Sequence, residues 1–431
     1  MDILILTQNT SKITGPIAKW ILGPIMNAIF NFLNWIKIPN IGLAIILFTI
    51  VIYLLLMPLT IKQQKFSKLQ AKIQPELNAI QKKYKDRKDQ DAQIAMSQET
   101  KAVYDKYGVS PTGSCVQLLI QMPILFALYR VIYSVPAYVT KVKDAFIPLV
   151  SELVKQDGAK DFIQQKENFS NSAQFIKQFQ NDLFINGDPT YVQNTFIDVL
   201  NRASTSEWEG LKSSFSGLAD LISNTQRTIE HYNNFLGINI GNSPSYTIKD
   251  AWASGRYIIV LGAILIPVLS AVTQWLNTKL IPTANSNQKT GNDQADQMAS
   301  SMKAMNTFMP LFSAFMCFTL PAGLGIYWIA GSVVRSIQQV VINKYIDKMD
   351  LEEEIKKNIE KRNKKLAKKG IDPSKISQNA NRSTKAMERL NQIKAENEAK
   401  VQEAQQKSAK AGSIASKAQL VKQYNEKNNN K

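Results

Sequence analysis

The chain has 431 residues, 45% of them hydrophobic, and a formal charge of +18 from 52 Lys/Arg against 34 Asp/Glu. Two cysteines, Cys115 and Cys317, and one histidine, His231, exclude a disulfide framework and a metal cluster and leave little for a nucleophile–base pair. No enzymatic step, metal or cofactor is therefore expected, and no Asp lies in any predicted span to serve an intramembrane aspartyl protease.

Residues 17–36, IAKWILGPIMNAIFNFLNWI, carry Lys19, Gly23, Asn27 and Asn31 at intervals of four on an otherwise apolar stretch. That stripe suits an amphipathic helix lying in the membrane interface, within an N-terminal segment 1–40. The alternative is a first span. No small-residue cleavage site follows a charged n-region, and no lipobox-like cysteine is present.

Residues 41–60, IGLAIILFTIVIYLLLMPLT, contain no charged side chain. As a helix they cover about 30 Å, enough to cross a hydrocarbon core. The basic stretch that follows places the Thr60 end in the cytoplasm. Thr49 and Tyr53 lie four apart and share one face. Next, Phe66, Leu69, Ile73, Leu77, Ile80 and Tyr84 form a heptad-like seam. DRKDQD interrupts it, and a second helix follows to Tyr107 with Gly108 as its C-cap. Residues 61–113 thus read as a basic helical hairpin in the cytoplasm.

Residues 114–136, SCVQLLIQMPILFALYRVIYSVP, form a second span in which Gln117 and Gln121 share a face. Arg130, near its outer end, is placed to snorkel outward. Residues 137–256 are polar and patterned as helices around 145–155, 172–185 and 190–202. Ser206 and Glu209 form a capping box before a further amphipathic helix. This is an extracellular helical insert. Residues 257–280 span back in, a polar linker occupies 281–297, residues 298–320 go out, and residues 321–343 return through the turn PAGLG. The tail 344–431 is polar, with the cluster Lys361, Arg362, Lys364, Lys365, Lys368 and Lys369 available to RNA or anionic lipid.

Charge agrees with five spans, N-terminus outside and C-terminus inside. Residues 61–113 carry 11 Lys/Arg against 6 Asp/Glu, and residues 344–431 carry 22 against 12. The insert, over residues 137–250, carries 10 against 13. Basic residues are retained on the cytoplasmic side.

The segments PLTIKQ, GVSPTGSCVQLLIQMPILFALYRVIY, FLGI, QWLNTKL and FMPLFSAFMCFTLPAGLGIYWIAGSVVRSIQQVVINK, in this order and spacing, resemble the YidC–Oxa–Alb family of membrane protein insertases. The similarity covers roughly residues 17–136 and 232–345. It implies an all-α membrane protein with a five-transmembrane-helix insertase core, a cytoplasmic helical hairpin and, outside the resemblance, an α-helical extracellular insert. It also implies a hydrophilic groove open to the cytoplasm and to lipid, through which nascent membrane proteins such as the ATP synthase c-subunit enter the bilayer without nucleotide hydrolysis. Its implied partners are the ribosome, through the basic tail and its RNA, membrane lipids, and the Sec translocon on one of two routes. The implied location is a bacterial plasma membrane. The short N-terminal segment and Lys/Asn/Ile richness point to a Gram-positive-type cell.

On the family pattern, Thr49 and Trp328 match positions that contact substrate. The groove arginine usual in bacterial relatives falls at Tyr53. Arg335 lies seven residues after Trp328, on the same face, and stands nine before Lys344 as Tyr53 stands nine before Lys62. Arg335 is thus the candidate for the displaced groove charge, with Tyr53, Gln117 and Gln121 as polar neighbours. The alternative is that Arg335 snorkels to the cytoplasmic headgroups. Two other functions remain open, an assembly chaperone without insertase activity and a passive channel or transporter. No inverted repeat of the transporter kind is visible.

Overall fold

The computed structural model describes residues 14–84, 89–109, 123–124, 126–280, 304 and 308–368. Gln117, Gln121, Cys115, the 281–297 linker, Lys369 and the tail beyond it lie outside them. The chain divides into two compact units, one of residues 1–71, 112–289 and 293–349, the other of residues 72–111, 290–292 and 350–431.

In the first unit the N-terminal segment is helical over Thr14–Ile17, Ala18–Leu22 (a π-helical turn) and Gly23–Trp35. A Schellman-type end follows. Lys37 takes φ 62°, and the Lys37 and Ile38 amides donate to the Asn34 and Leu33 carbonyls. Met26, Phe30 and Leu33 are buried, while Trp20, Phe32 and Trp35 are exposed. The expected polar stripe is only partly a water face. Asn27 Oδ1 accepts from the Thr140 amide, and a Cβ on Gly23 would stand 2.7 Å from the Tyr138 ring. Phe30 meets Tyr232 edge-on at 5.4 Å. One side of this helix therefore packs on the insert, leaving an apolar aromatic side exposed.

Asn40 caps the next helix, its Oδ1 accepting from the Leu43 amide at 2.9 Å. That helix, Ile41–Tyr84, runs 44 residues without a break at Thr60. Together with Tyr257–Leu280 it is one of two described helices long and apolar enough to cross a membrane. Phe308–Thr319 is a shorter apolar helix, and Ala322–Asp347 forms a continuous helix of 26 residues. Tyr257–Leu280 packs chiefly against Ala322–Asp347. Its other side exposes Ile258, Leu261, Ile264, Leu265 and Val268, an apolar surface too continuous for contact with water.

The insert is a helical body around Phe146, Leu149, Phe169, Phe196, Leu211 and Ile222, all buried. Its helices include Thr140–Leu153, Pro189–Leu200, Thr205–Ser214 and Ala219–Asn233. The capping box is Ser204 with Glu207, two residues earlier than the expected Ser206 with Glu209. Glu207 favours that register because its second oxygen also accepts from the Ser170 amide at 2.7 Å. Segment 172–185 breaks into three short pieces, Ser172–Phe175, Ile176–Phe179 and Asp182–Ile185.

A two-residue hairpin pairs Asn234–Phe235 with Ile238–Asn239, turning on Leu236 and Gly237 at φ 54° and 82°. It is the one departure from helix in sheet form among the described residues, and it joins insert to spans. Asn40 Nδ2 donates to the Asn234 carbonyl at 2.6 Å, and the Ile240 and Asn242 carbonyls accept from the Gly323 and Ala322 amides that begin the helix Ala322–Asp347.

The second unit contains the hairpin helix Gln90–Lys106 and the tail helix Leu351–Lys368. Ile73, Leu77 and Tyr107 form its apolar centre, with Ile355 of the tail packed against them. Arg362 donates to the Asp105 carboxylate at 2.8 Å and to its carbonyl at 2.6 Å. Gly108, at φ 64°, has no room for a side chain, since a Cβ would lie 2.5 Å from the Ile359 nitrogen.

Candidate functional site

Polar side chains are expensive inside a membrane, so a run of them on facing spans marks a site. In the first unit they gather where Ile41–Tyr84 meets Ala322–Asp347. Thr49 is fully buried and turns its hydroxyl back to the Ile45 carbonyl at 2.6 Å. One turn on, Tyr53 is 8% exposed. A Cβ on Gly331 would lie 3.3 Å from the Tyr53 ring and hydroxyl, so the glycine lets that ring seat against the last helix. The buried Tyr327 phenol interacts with that of Tyr53.

Arg335 sits beside this pair, its guanidinium carbon 5.7 Å from the centroid of the Tyr53 ring. Its Nε donates to the Gly331 carbonyl and its Nη2 to the Ser332 hydroxyl, both at 3.2 Å. Both partners precede Arg335 in the helix, so the side chain folds back toward the helix start and away from Lys344. Arg335 nevertheless stays accessible. Tyr53 and Arg335, matched in depth by their spacing from Lys62 and Lys344, are thus brought together.

Toward the other end the seam continues through amides. Gln338 is buried and donates from Nε2 to the Tyr53 carbonyl at 2.8 Å. Gln338 Oε1 is buried with no hydrogen-bond partner among the described residues. Gln64 donates to Gln339 at 2.9 Å, Gln339 to Asn343 at 2.7 Å, and Asn343 to the Leu280 carbonyl at 3.4 Å. Ser313 donates to Gln274 at 2.9 Å, and Asn277 approaches Ser336 at 3.4 Å. Sequence reasoning missed Gln64, Gln338, Gln339 and Asn343. The available signal was the recurrence of Ser332, Ser336, Gln339 and Asn343 at intervals of 4, 3 and 4 along one helix face.

Trp328 is half-buried against the apolar core. Gln117 and Gln121 lie outside the described residues. Arg130 does not simply reach outward, since it interacts with the Tyr138 hydroxyl and contributes to the field at Asp198 in the insert. Of the basic tail cluster, Arg362 is committed to Asp105, and Lys364 pairs with Glu360 four residues away at 2.6 Å. Lys361 and Lys368 are exposed, while the Lys365 side chain and Lys369 lie outside the described set.

These spans can shelter polar groups partway across a bilayer. A wet or amide-lined interior lowers the cost of bringing a polar segment in.

The sequence profile of the 60Kd inner membrane protein family matches residues 31–350. The membrane protein insertase MisCA of Bacillus subtilis is 33% identical over 203 residues, 43% of this chain and 75% of that protein. The membrane protein insertase YidC of Oceanobacillus iheyensis is 26% identical over 303 residues, 70% of this chain and 74% of that protein. A YidC 1 of Streptococcus pyogenes is 44% identical over a shorter stretch of 104 residues, 24% of this chain and 38% of that protein.

Proposed function

The chain belongs to the 60Kd inner membrane protein family, and from that membership we infer that it is a membrane protein insertase of a bacterial plasma membrane. Five spans enclose its groove, with the N-terminus and the insert outside and the hairpin and basic tail in the cytoplasm. The groove wall is formed by Thr49, Tyr53, Trp328 and Arg335, with Gln117 and Gln121 from the second span. A nascent segment enters from the cytoplasm with its polar end in the groove. Arg335 supplies the positive charge that holds this end briefly. The polar end then passes outward as the apolar part partitions into lipid, which drives the step. The hydrophobic gain of about 25 cal/mol per Å² of apolar surface is ample for a segment of span length.

The observation that carries this reading is Arg335 folded back against Tyr53 and Ser332. A snorkelling arginine would extend the other way, toward Lys344. The ribosome delivers clients to the cytoplasmic side, where the exposed lysines of the tail provide an electrostatic contact, and insertion proceeds with or without the Sec translocon. The test is reconstitution of the purified protein in liposomes with an ATP synthase c-subunit as client. An insertase yields client whose translocated tail lies in the liposome lumen, protected from external protease. Client that binds without becoming protected would instead mark an assembly chaperone, and ion leak without insertion would mark a channel.

A further inference from the structure

A small pocket, partly open to solvent, lies where the insert meets the first residues of the helices Ile41–Tyr84 and Ala322–Asp347. Its apolar wall includes Ile41, Ile132 and Leu324, and its polar wall is Asn201, Arg202 and Asn233. All belong to the first unit.

Arg202 is unusual in how it is held. Its guanidinium carbon lies 3.6 Å from the Tyr133 ring centroid and 4.8 Å from that of Phe175. The rings fix its plane without neutralising its charge. Its Nη1 donates to Gln174 Oε1 at 2.5 Å, and the Tyr133 hydroxyl donates to the same oxygen at 2.7 Å. Among the described residues no carboxylate forms an ion pair with it.

The nearest carboxyl, Asp198, is buried and accepts from Gln178 Nε2 at 2.9 Å. Burial pushes its pKa up to about 7 even though Arg202, Arg130 and Lys143 all act on it, so at neutral pH it is only partly ionised and offsets part of one of their three charges. Lys143 also faces Asp144. Desolvation lowers the pKa of both Arg202 and Lys143, as expected for cations held away from water. The long helices that begin at Ile41 and Ala322 direct their positive ends at the same space.

We propose that this cavity binds one oxyanion, a carboxylate or a phosphate, through the stacked guanidinium of Arg202. A planar guanidinium that lines an apolar-walled pocket and forms an ion pair with no carboxylate among the described residues suits an oxyanion better than a neutral amide. Two sources carry that chemistry at the outer surface. One is an acidic side chain on the emerging polar tail of a client, which rests on the insertase reading. The other is the phosphate of an outer-leaflet lipid, which does not.

Two measurements on the full chain separate them. The first counts phosphatidylglycerol retained by the detergent-purified protein, by native mass spectrometry. The second measures photocrosslinking from a benzoyl-phenylalanine at Ile132 to an inserting client whose outer tail carries Asp or, in a matched version, Asn, in phosphatidylcholine liposomes. Arg202→Gln is expected to lower one of them at least fivefold, either bound phosphatidylglycerol or the excess of Asp-tail over Asn-tail crosslinking. The affected measurement identifies the source. Asn233→Leu fills the cavity without altering Arg202 and is expected to give the same loss, so the inference does not depend on one variant folding. If both measurements stay at wild-type level in both variants, the proposal is overturned. An equal fall in Asn-tail and Asp-tail insertion also overturns it, because that marks general damage. Wild-type protein that inserts no client at all would contradict the insertase reading, and the lipid measurement would still decide the cavity.

Discussion

At the scale of single residues, environment rather than residue type decides what each charge does. Asp198 and Arg335 both lie in largely apolar parts of the fold, yet one is sealed and the other stays accessible. Burial raises the Asp198 pKa from 3.8 to about 7. The folded state therefore holds its proton more tightly than the unfolded chain. Stability from this group is fully present below pH 3.8 and declines as pH rises to about 7. Thermal unfolding of the insert should occur at a higher temperature at pH 5 than at pH 8, and Asp198→Asn should flatten that difference. A variant with an unchanged pH slope would show that Asp198 is ionised in the fold. Gln338 gives a second residue-scale expectation. Its Nε2 ties the last helix to the Tyr53 carbonyl, so Gln338→Leu should cost about 1–2 kcal/mol. A rise in hydrogen exchange confined to the two facing helices would report that loosening.

At the scale of elements, the hairpin is completed by a helix from the far end of the chain. The seam Ile73, Leu77 and Tyr84 was legible in the sequence because a heptad repeat stands out on a Lys/Gln-rich background. Its partner Ile355 was not, because the stripe Leu351, Ile355 and Ile359 in LEEEIKKNIEKRNKK marks an amphipathic helix without naming its partner, and the contact is remote in sequence. For the same reason Arg362 read as one basic residue among six, although Asp105 takes it out of that set. The apolar spans were legible from composition alone. The extension of the first span's helix to Tyr84 was not, since a basic flank marks where a membrane ends and says nothing of where a helix does. The buried glutamines 64, 338 and 339 escaped because an amide near the cytoplasmic end of a span has the same sequence signature whether it faces water or a partner. Arg362→Ala and Gly108→Ala should each free the tail helix, the second by strain at φ 64° of about 1–2 kcal/mol or more. Faster exchange or proteolysis of both Gln90–Lys106 and Leu351–Lys368 is the expected result. Protection of Gln90–Lys106 unchanged in both variants would mean that the hairpin stands without the tail.

At the scale of the whole molecule, two basic segments and a slightly acidic insert bracket a set of apolar helices, and the proposed topology puts the hairpin and tail on one side of the membrane and the insert on the other. Single cysteines placed at exposed Lys166 in the insert and exposed Lys101 in the hairpin should react with a membrane-impermeant maleimide from opposite sides of sealed cells or inverted vesicles. Labelling of both from one side would overturn the arrangement. Within that frame we propose that Arg335, beside Tyr53, supplies the positive charge of the groove. The direct measurement is the yield of protease-protected ATP synthase c-subunit in liposomes containing wild-type protein or Arg335→Gln, with Thr49 and Trp328 variants alongside. The account predicts a fall of about tenfold for Arg335→Gln, equivalent to ~1.4 kcal/mol, and partial recovery with Arg335→Lys. Wild-type yield from Arg335→Gln, in the same preparation where Thr49 and Trp328 variants fail, would contradict it.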